Sequence, residues 1–451
     1  MSLLVRSQIE FHQKPKFVEQ TEDLAESAPP RLLAVSFSYP PQTEPRAIQV
    51  SRLLQYIHAS TVLVCEGKPG TKDDAVESFG LDTKKTKILR VPLPGSSWRR
   101  AVDRLASRVY LPVWSMTPDH LGPWRRPVVK TIEDLLNTNH YRPDVLVTFA
   151  FPLIDSLIGL ELKQRFQLPW LAHFSDPWVD SPFRKVDRLT RMLNARLERS
   201  VIEAADRLVF TSPETAELVM HKYPFPLQEK VRIVPHAYEK ELFPPPTNVC
   251  GDRMVVRYLG DLYLSRTPKP LFQALKTLLS SDPELLKEFC FEIVGEVHEM
   301  DLEQMGLSLL PEGLVVFRSR VSYQESLALM TSAAGLMVID APVPKNTKSV
   351  FLPSKLIEYV GAGRPIIGLT PPGTASDLIE RLGGWVIDPS ETQQVAKVVR
   401  QFLYFLREQR RDAPQAWGQP DVREEFEARN VALKFEWVLR ELYGNSRTRD
   451  A

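Results

Sequence analysis

Apolar residues fall in short blocks along this chain, and the blocks alternate with stretches of helical periodicity. The first block, RLLAVSFSYP, stops at Pro40. STVLVCEG (60–67), KTKILRVPL (85–93), DVLVTFAF (144–151), PWLAHFS (169–175), RLVFTS (207–212) and VRIVP (231–235) follow. Between several of them lie helix-like stretches such as IQVSRLLQYI and LIGLELKQRF. Buried strands alternating with amphipathic helices predict a parallel sheet covered on both faces.

The run EKELFPPPTNVCGD (239–252) breaks the pattern with three consecutive prolines and reads as an interdomain linker. The alternation then resumes with MVVRYLG (254–260), CFEIVGE (290–296), LVVFRS (314–319), AGLMVID (334–340), RPIIGLT (364–370) and GWVID (384–388). The expected organisation is a flexible tail over 1–30, a doubly wound α/β domain over 31–238, the linker, a smaller second α/β domain over 253–405 and a helical segment over 406–451. Sheets of this kind hold ligands at the carboxyl ends of their strands, and two of them set face to face leave a cleft.

Composition narrows the function classes. A chain of 451 residues with 43% hydrophobic and 25% charged residues is ordinary for a soluble globular protein. A formal net charge of +1 argues against a nucleic-acid partner. Cys65, Cys250 and Cys290 are too scattered for a disulfide framework or a clustered zinc site, and they fit a reducing compartment. No apolar run approaches the ~20 residues needed to cross a bilayer, and MSLLVRSQIEFHQKP lacks a signal-peptide core. A cytoplasmic location is expected. In SSWRRAVDRLASRVYLPVW, a helix would place Trp98, Val102, Leu105 and Val109 on one face and Arg100, Arg104 and Arg108 on another. Such a helix over 98–111 either touches the inner face of an anionic membrane or packs its apolar side on the core.

The stretch FLPSKLIEYVGAGRPIIGLT (351–370) leads an irregular segment into a helix near Ser354. A helix N-terminus offers unpaired N–H groups and a positive dipole end, a seat for pyrophosphate. Ser354 and Lys355 would supply amides, Lys355 charge, and Glu358 a carboxylate for ribose hydroxyls; a capped helix with a solvated Glu is the competing account. In YLGDLYLSRTPKPLFQAL (258–275), a strand ends at Gly260, and Arg266 and Lys269 sit in the loop and first turn that follow. Cations at a helix start call for an anion, unless they are plain surface charges. LAHFSDPWVD (171–180) puts His173, Asp176 and Trp178 near a strand edge, although a histidine in a buried strand is commonly a core residue. Arg46, in SFSYPPQTEPRAIQVSRLL (36–54), reads either as a phosphate or acceptor contact or as an exposed arginine at a helix start.

PSKLIEY, GDLYLSRTP and DPW resemble motifs of the retaining nucleotide-sugar glycosyltransferases of family 4. The resemblance covers about residues 31–405 and implies the GT-B fold, two Rossmann-like domains facing across a cleft, with the C-terminal helices packing back on the N-terminal domain. It implies transfer of a sugar from a nucleoside-diphosphate sugar to a hydroxyl of a glycan or lipid-linked acceptor; no close carboxylate pair of the D-x-D kind stands beside an expected strand end, so neither a metal nor a further cofactor is expected. Arg266 and Lys269 would then stabilise the leaving diphosphate, Glu358 would hold the ribose, and Asp176, Arg46, His173 and Trp178 would line the sugar and acceptor side. Two departures stand out: the family's first motif Glu falls on Val350, and Asp261 stands where an Arg is usual. They leave open a catalytically silent nucleotide- or glycan-binding relative, and the fold also serves nucleotide-sugar epimerases.

Overall fold

The computed structural model describes residues 29–42, 44–68, 86–95, 117–138, 141–181, 184, 186–245, 252–263, 265–298, 301–344, 347–409 and 416–450. The expected tail up to residue 28, the basic stretch over 98–111 and Cys250 lie outside them. In the first half the strands are β1 (Leu32–Val35), β2 (Thr61–Glu66), β3 (Thr86–Val91), β4 (Val145–Ala150), β5 (Trp170–Phe174), β6 (Arg207–Phe210) and β7 (Val231–Ile233). In the second they are β8 (Met254–Leu259), β9 (Phe289–Val294), β10 (Val315–Arg318), β11 (Gly335–Ile339), β12 (Ile366–Leu369) and β13 (Trp385–Ile387). Each falls on an apolar block anticipated from the sequence.

The strands form two parallel sheets, in the orders β3-β2-β1-β4-β5-β6-β7 and β10-β9-β8-β11-β12-β13. Both are doubly wound, with the winding reversing between β1 and β4 and between β8 and β11. Parallel strands covered on both faces have no solvated side, so all six residues of β4 are buried. The longer covering helices are α1 (Pro45–Tyr56), α2 (Arg125–Thr138), α3 (Ile154–Phe166), α4 (Arg188–Ala204) and α5 (Pro213–Met220) in the first half. Those of the second are α6 (Lys269–Ser281), α7 (Tyr323–Thr331), α8 (Ser354–Ala362), α9 (Thr374–Arg381) and α10 (Thr392–Gln409). Gly159 lets α3 sit close on the sheet: a Cβ there would meet the Trp170 ring at 2.5 Å and Thr148 Cγ2 at 2.6 Å.

The chain crosses between the halves at Tyr238 and returns at Phe426–Ala428. The two crossings are stitched together, with Tyr238 N donating to Phe426 O at 2.9 Å and Ala428 N to Tyr238 O at 2.9 Å. After the return, α11 (Ala428–Asp450) packs on α1 and β4. Its Phe435, Val438 and Leu439 join the cluster of Leu54, Val147 and Leu171. Arg207 and Arg232 both reach Glu441 at 3.0 Å, and His58 reaches Glu436 at 2.8 Å. The C-terminal helix therefore completes the first half. Among the described residues no helix is long and apolar enough to cross a membrane.

Candidate active site

A cavity of about 430 Å³ lies between the halves. Pro45, Ile48, Gln49 and Arg52 of α1, with His236 and Ala237 ahead of the crossing, form one wall. The opposite wall comes from the carboxyl ends of β8, β9 and β10 and from α7 and α8. It brings Gly260, Arg266, Ser354, Lys355 and Glu358 together, five of the positions singled out in the sequence.

The N-terminus of α8 is bare. Side chains cap α4, α5 and α7 through Asp187, Ser212 and Ser322, whereas α8 starts after Pro353 with no side-chain cap and no acid in its first turn. Its first turn carries Lys355 instead. The Lys355 ammonium donates to the Tyr258 hydroxyl at 2.8 Å and lies 4.2 Å from that ring's centre; among the described residues it has no carboxylate partner. Burial first, then the nearby Arg266 charge, push it down to about 7. Gly260 makes room for it. That residue sits at φ +134°, and a Cβ there would fall on the ammonium, with Cε at 2.7 Å. The Tyr359 hydroxyl accepts the Leu259 amide at 2.8 Å, which ties α8 to the end of β8.

Arg266 leaves a turn closed by its own amide on Tyr263 O at 3.0 Å. Its guanidinium reaches Asp340 at 2.8 Å, spanning the ends of β8 and β11 at the point where the winding reverses. Burial opposes its charge, but Asp340 overcomes this and raises it. Asp261, found where the resemblance has an Arg, accepts the Glu296 amide at 3.0 Å and Arg320 Nε at 3.0 Å. A cation therefore stands at this mouth of the cavity, supplied by the segment after β10. Val350, in the place of the absent Glu, turns its carbonyl to the Thr215 hydroxyl of the first half at 3.1 Å.

Glu358 does not face solvent alone. Arg52, buried in α1 of the opposite half, donates to Glu358 Oε1 at 2.7 Å and to Ala237 O at 2.6 Å, and also meets the Tyr323 hydroxyl. Burial works against the arginine's charge, and Glu358 and Tyr323 restore it.

The positions expected on the acceptor side are differently placed. Arg46 is not an exposed helix-start arginine: it is 9% exposed, and its guanidinium bonds Ala150 O and sits 3.2 Å from His173 Nδ1. Burial without a bonded carboxylate lowers it to about 10. His173 is buried against Phe149 and Phe435, and burial, then Arg46, hold it well below the usual histidine range. Both line a small recess behind His236 and Ala237 rather than the main cavity. Asp176 is half-buried, bonded by the Ser175 hydroxyl at 2.9 Å and raised by burial. It lines neither space.

Two further expectations are corrected. Trp178 is 1% exposed, with its indole N–H on Asn194 at 2.7 Å, so it is core rather than cleft. The D-P-W turn folds inward because the amphipathic ring is best buried with its N–H paired. Lys269 opens α6 on the exposed side and does not line the cavity. The Tyr263–Arg266 turn takes up the chain between Gly260 and the helix, and it is Arg266 that points inward. Reasoning from sequence missed Arg52, Tyr323, Arg320 and Asp340. Asp340 carried a signal, a carboxylate directly after a buried strand, and so did Arg52, a cation within the apolar stripe of IQVSRLLQYI.

Residues 52–236 match the family of glycosyl transferase 4-like domains. The chain is 24% identical over 266 residues to a D-inositol 3-phosphate glycosyltransferase of Geodermatophilus obscurus, covering 52% of this chain and 57% of that protein. It is 25% identical over 221 residues to one from Streptomyces scabiei, covering 46% and 48%. The chain spans about half the length of the curated relatives it matches. Among solved structures, Anabaena HepE in complex with UDP-glucose superposes with a TM-score of 0.60 at 15% identity, covering 91% of this chain and all of that one. Sucrose-phosphate synthase from Thermosynechococcus elongatus gives 0.61 at 15% identity, covering 92% and 100%. These likenesses show that the chain has the GT-B fold, and the matched domain runs through its first half from Arg52 to His236, both of which line the cavity.

Proposed function

We propose that this protein is a glycosyltransferase that takes its sugar from a nucleoside diphosphate bound in the cavity between the halves. The supporting observation is the convergence of the uncapped start of α8, the Lys355 ammonium, which has no carboxylate partner among the described residues, and Arg266 on one wall, with Glu358 one helical turn further on. Backbone N–H groups and cations together suit a diphosphate, and a fixed carboxylate suits vicinal ribose hydroxyls. Arg266 and Lys355 would stabilise the charge that collects on the diphosphate as the sugar–phosphate C–O bond breaks. The acceptor hydroxyl attacks the sugar carbon, its proton departing toward the released diphosphate, with retention of configuration in this reading. The acceptor, a glycan or lipid-linked hydroxyl, would approach from the first half, where His236 and Gln49 face the same space. The sequence relatives are named as glycosyltransferases and a fold neighbour holds UDP-glucose, which agrees with this reading.

The test is a thermal-shift screen of UDP-, GDP- and dTDP-sugars, followed by turnover with and without acceptors. A donor at ~100 times its dissociation constant stabilises by about 2.7 kcal/mol. Arg266→Ala should lower turnover at least ~10-fold with the fold intact. Full activity in that variant would remove Arg266 from the leaving-group role, and donor conversion without any acceptor would favour an epimerase instead.

A further inference from the structure

Arg52 belongs to the first half, yet its guanidinium sits in the wall of the second. It is 3% exposed and unpaired only at Nε. One Nη donates both to Ala237 O at 2.6 Å and to Glu358 Oε1 at 2.7 Å; the other meets the Tyr323 hydroxyl and stands 3.4 Å from Glu358 Oε2. The Tyr323 hydroxyl is itself 3.4 Å from Oε1. Glu358 is thus held firmly by one oxygen and loosely by the other. A carboxylate offers about four acceptor positions, so Oε2 keeps capacity for a further donor.

We infer that Arg52 is a positioning residue for the nucleotide's ribose: it fixes Glu358 so that Oε2 meets the vicinal hydroxyls, and because it is anchored on Ala237 it does so only when the two halves stand in this relation. The inference rests on the cavity being the nucleotide site. Three features support it. Arg266 and Arg320 have their own carboxylates in Asp340 and Asp261, so the cavity pairs each arginine with one acid. Arg52 thus serves Glu358, and the cations that would face a diphosphate are Lys355 and Arg266. Ala237 immediately precedes Tyr238, where the chain crosses, so the arginine links the ribose wall to the crossing itself. A guanidinium is a planar fork that fixes a carboxylate's plane, which an ammonium cannot do.

Calorimetry with UDP, 2′-deoxy-UDP, GDP, 2′-deoxy-GDP and inorganic pyrophosphate tests this. The native protein should prefer the ribonucleotide by about tenfold or more, the scale of a hydrogen bond to a charged group. Arg52→Ala and Arg52→Lys should lose most of that preference while holding pyrophosphate as before. Arg52→Lys keeps the charge and carries the test if the alanine variant does not fold. A variant that keeps the full ribose preference would overturn the inference. So would one that loses pyrophosphate and nucleotide alike, since Arg52 would then act on the phosphates or on packing. If the native protein binds none of these ligands, the nucleotide reading itself fails and the inference falls with it.

Discussion

Lys355 ties the proposed diphosphate site to pH. Its ammonium is buried beside Arg266, rests on the Tyr258 hydroxyl and ring, and is pushed down to about 7 from 10.5. In the unoccupied protein it therefore loses its proton through the neutral range. A bound diphosphate favours the charged form and draws the proton back. Above about pH 7, affinity should fall by up to tenfold per pH unit, since the ligand must supply the work of protonating the lysine. Two units correspond to about 2.7 kcal/mol at 1.36 kcal/mol per unit. Stability of the unoccupied protein runs the other way. Between about 7 and 10.5 the unfolded chain holds a proton that the folded lysine has released, so this group's contribution to stability increases with pH across that window. Calorimetry with UDP from about pH 7 to pH 9, in two buffers of different ionisation heat, should show weakening affinity and uptake of close to one proton per ligand at the alkaline end. Lys355→Met should flatten the profile. An affinity in the native protein that stays constant across that range would refute the reasoning.

Two further perturbations separate cleft from core. Gly260→Ala places a Cβ on the Lys355 side chain at φ +134°; it should destabilise by ~1–3 kcal/mol and abolish diphosphate binding, read by denaturant midpoint and calorimetry, and an unaltered nucleotide affinity would count against the Lys355 seat. Trp178→Phe strips Asn194 of its indole donor; a loss of ~1–3 kcal/mol in stability with kcat and KM unchanged is expected, whereas a fall in kcat at constant stability would return the residue to the acceptor side.

The sheets were readable because a parallel strand buried on both faces leaves an uninterrupted apolar block, and VLVTFA in β4 is such a block. Ser354, Lys355 and Glu358 were readable because helix starts and one-turn spacings are local properties. Trp178 and Lys269 were misjudged because position beside a strand end does not determine which way a turn faces; that depends on where the Trp178 N–H finds Asn194 and on the turn that brings Arg266 inward. Arg52 and Glu358 lie far apart in the sequence and on opposite halves, and no local pattern encodes their pairing. Arg46 shows the same limit: its burial comes from Ala150 and His173, on two other strands.

The return of the chain at Phe426–Ala428 has a consequence for synthesis. The first sheet and its helices emerge early, but the cluster of Leu54, Val147 and Leu171 is completed only when Phe435, Val438 and Leu439 have been translated. Covering such side chains is worth roughly 1.5–3 kcal/mol each. The second sheet leans less on this late segment: its own helices directly follow its strands, and the return adds Phe426 to its buried cluster. A nascent chain would therefore finish its later half before its earlier one, and the earlier half waits for α11.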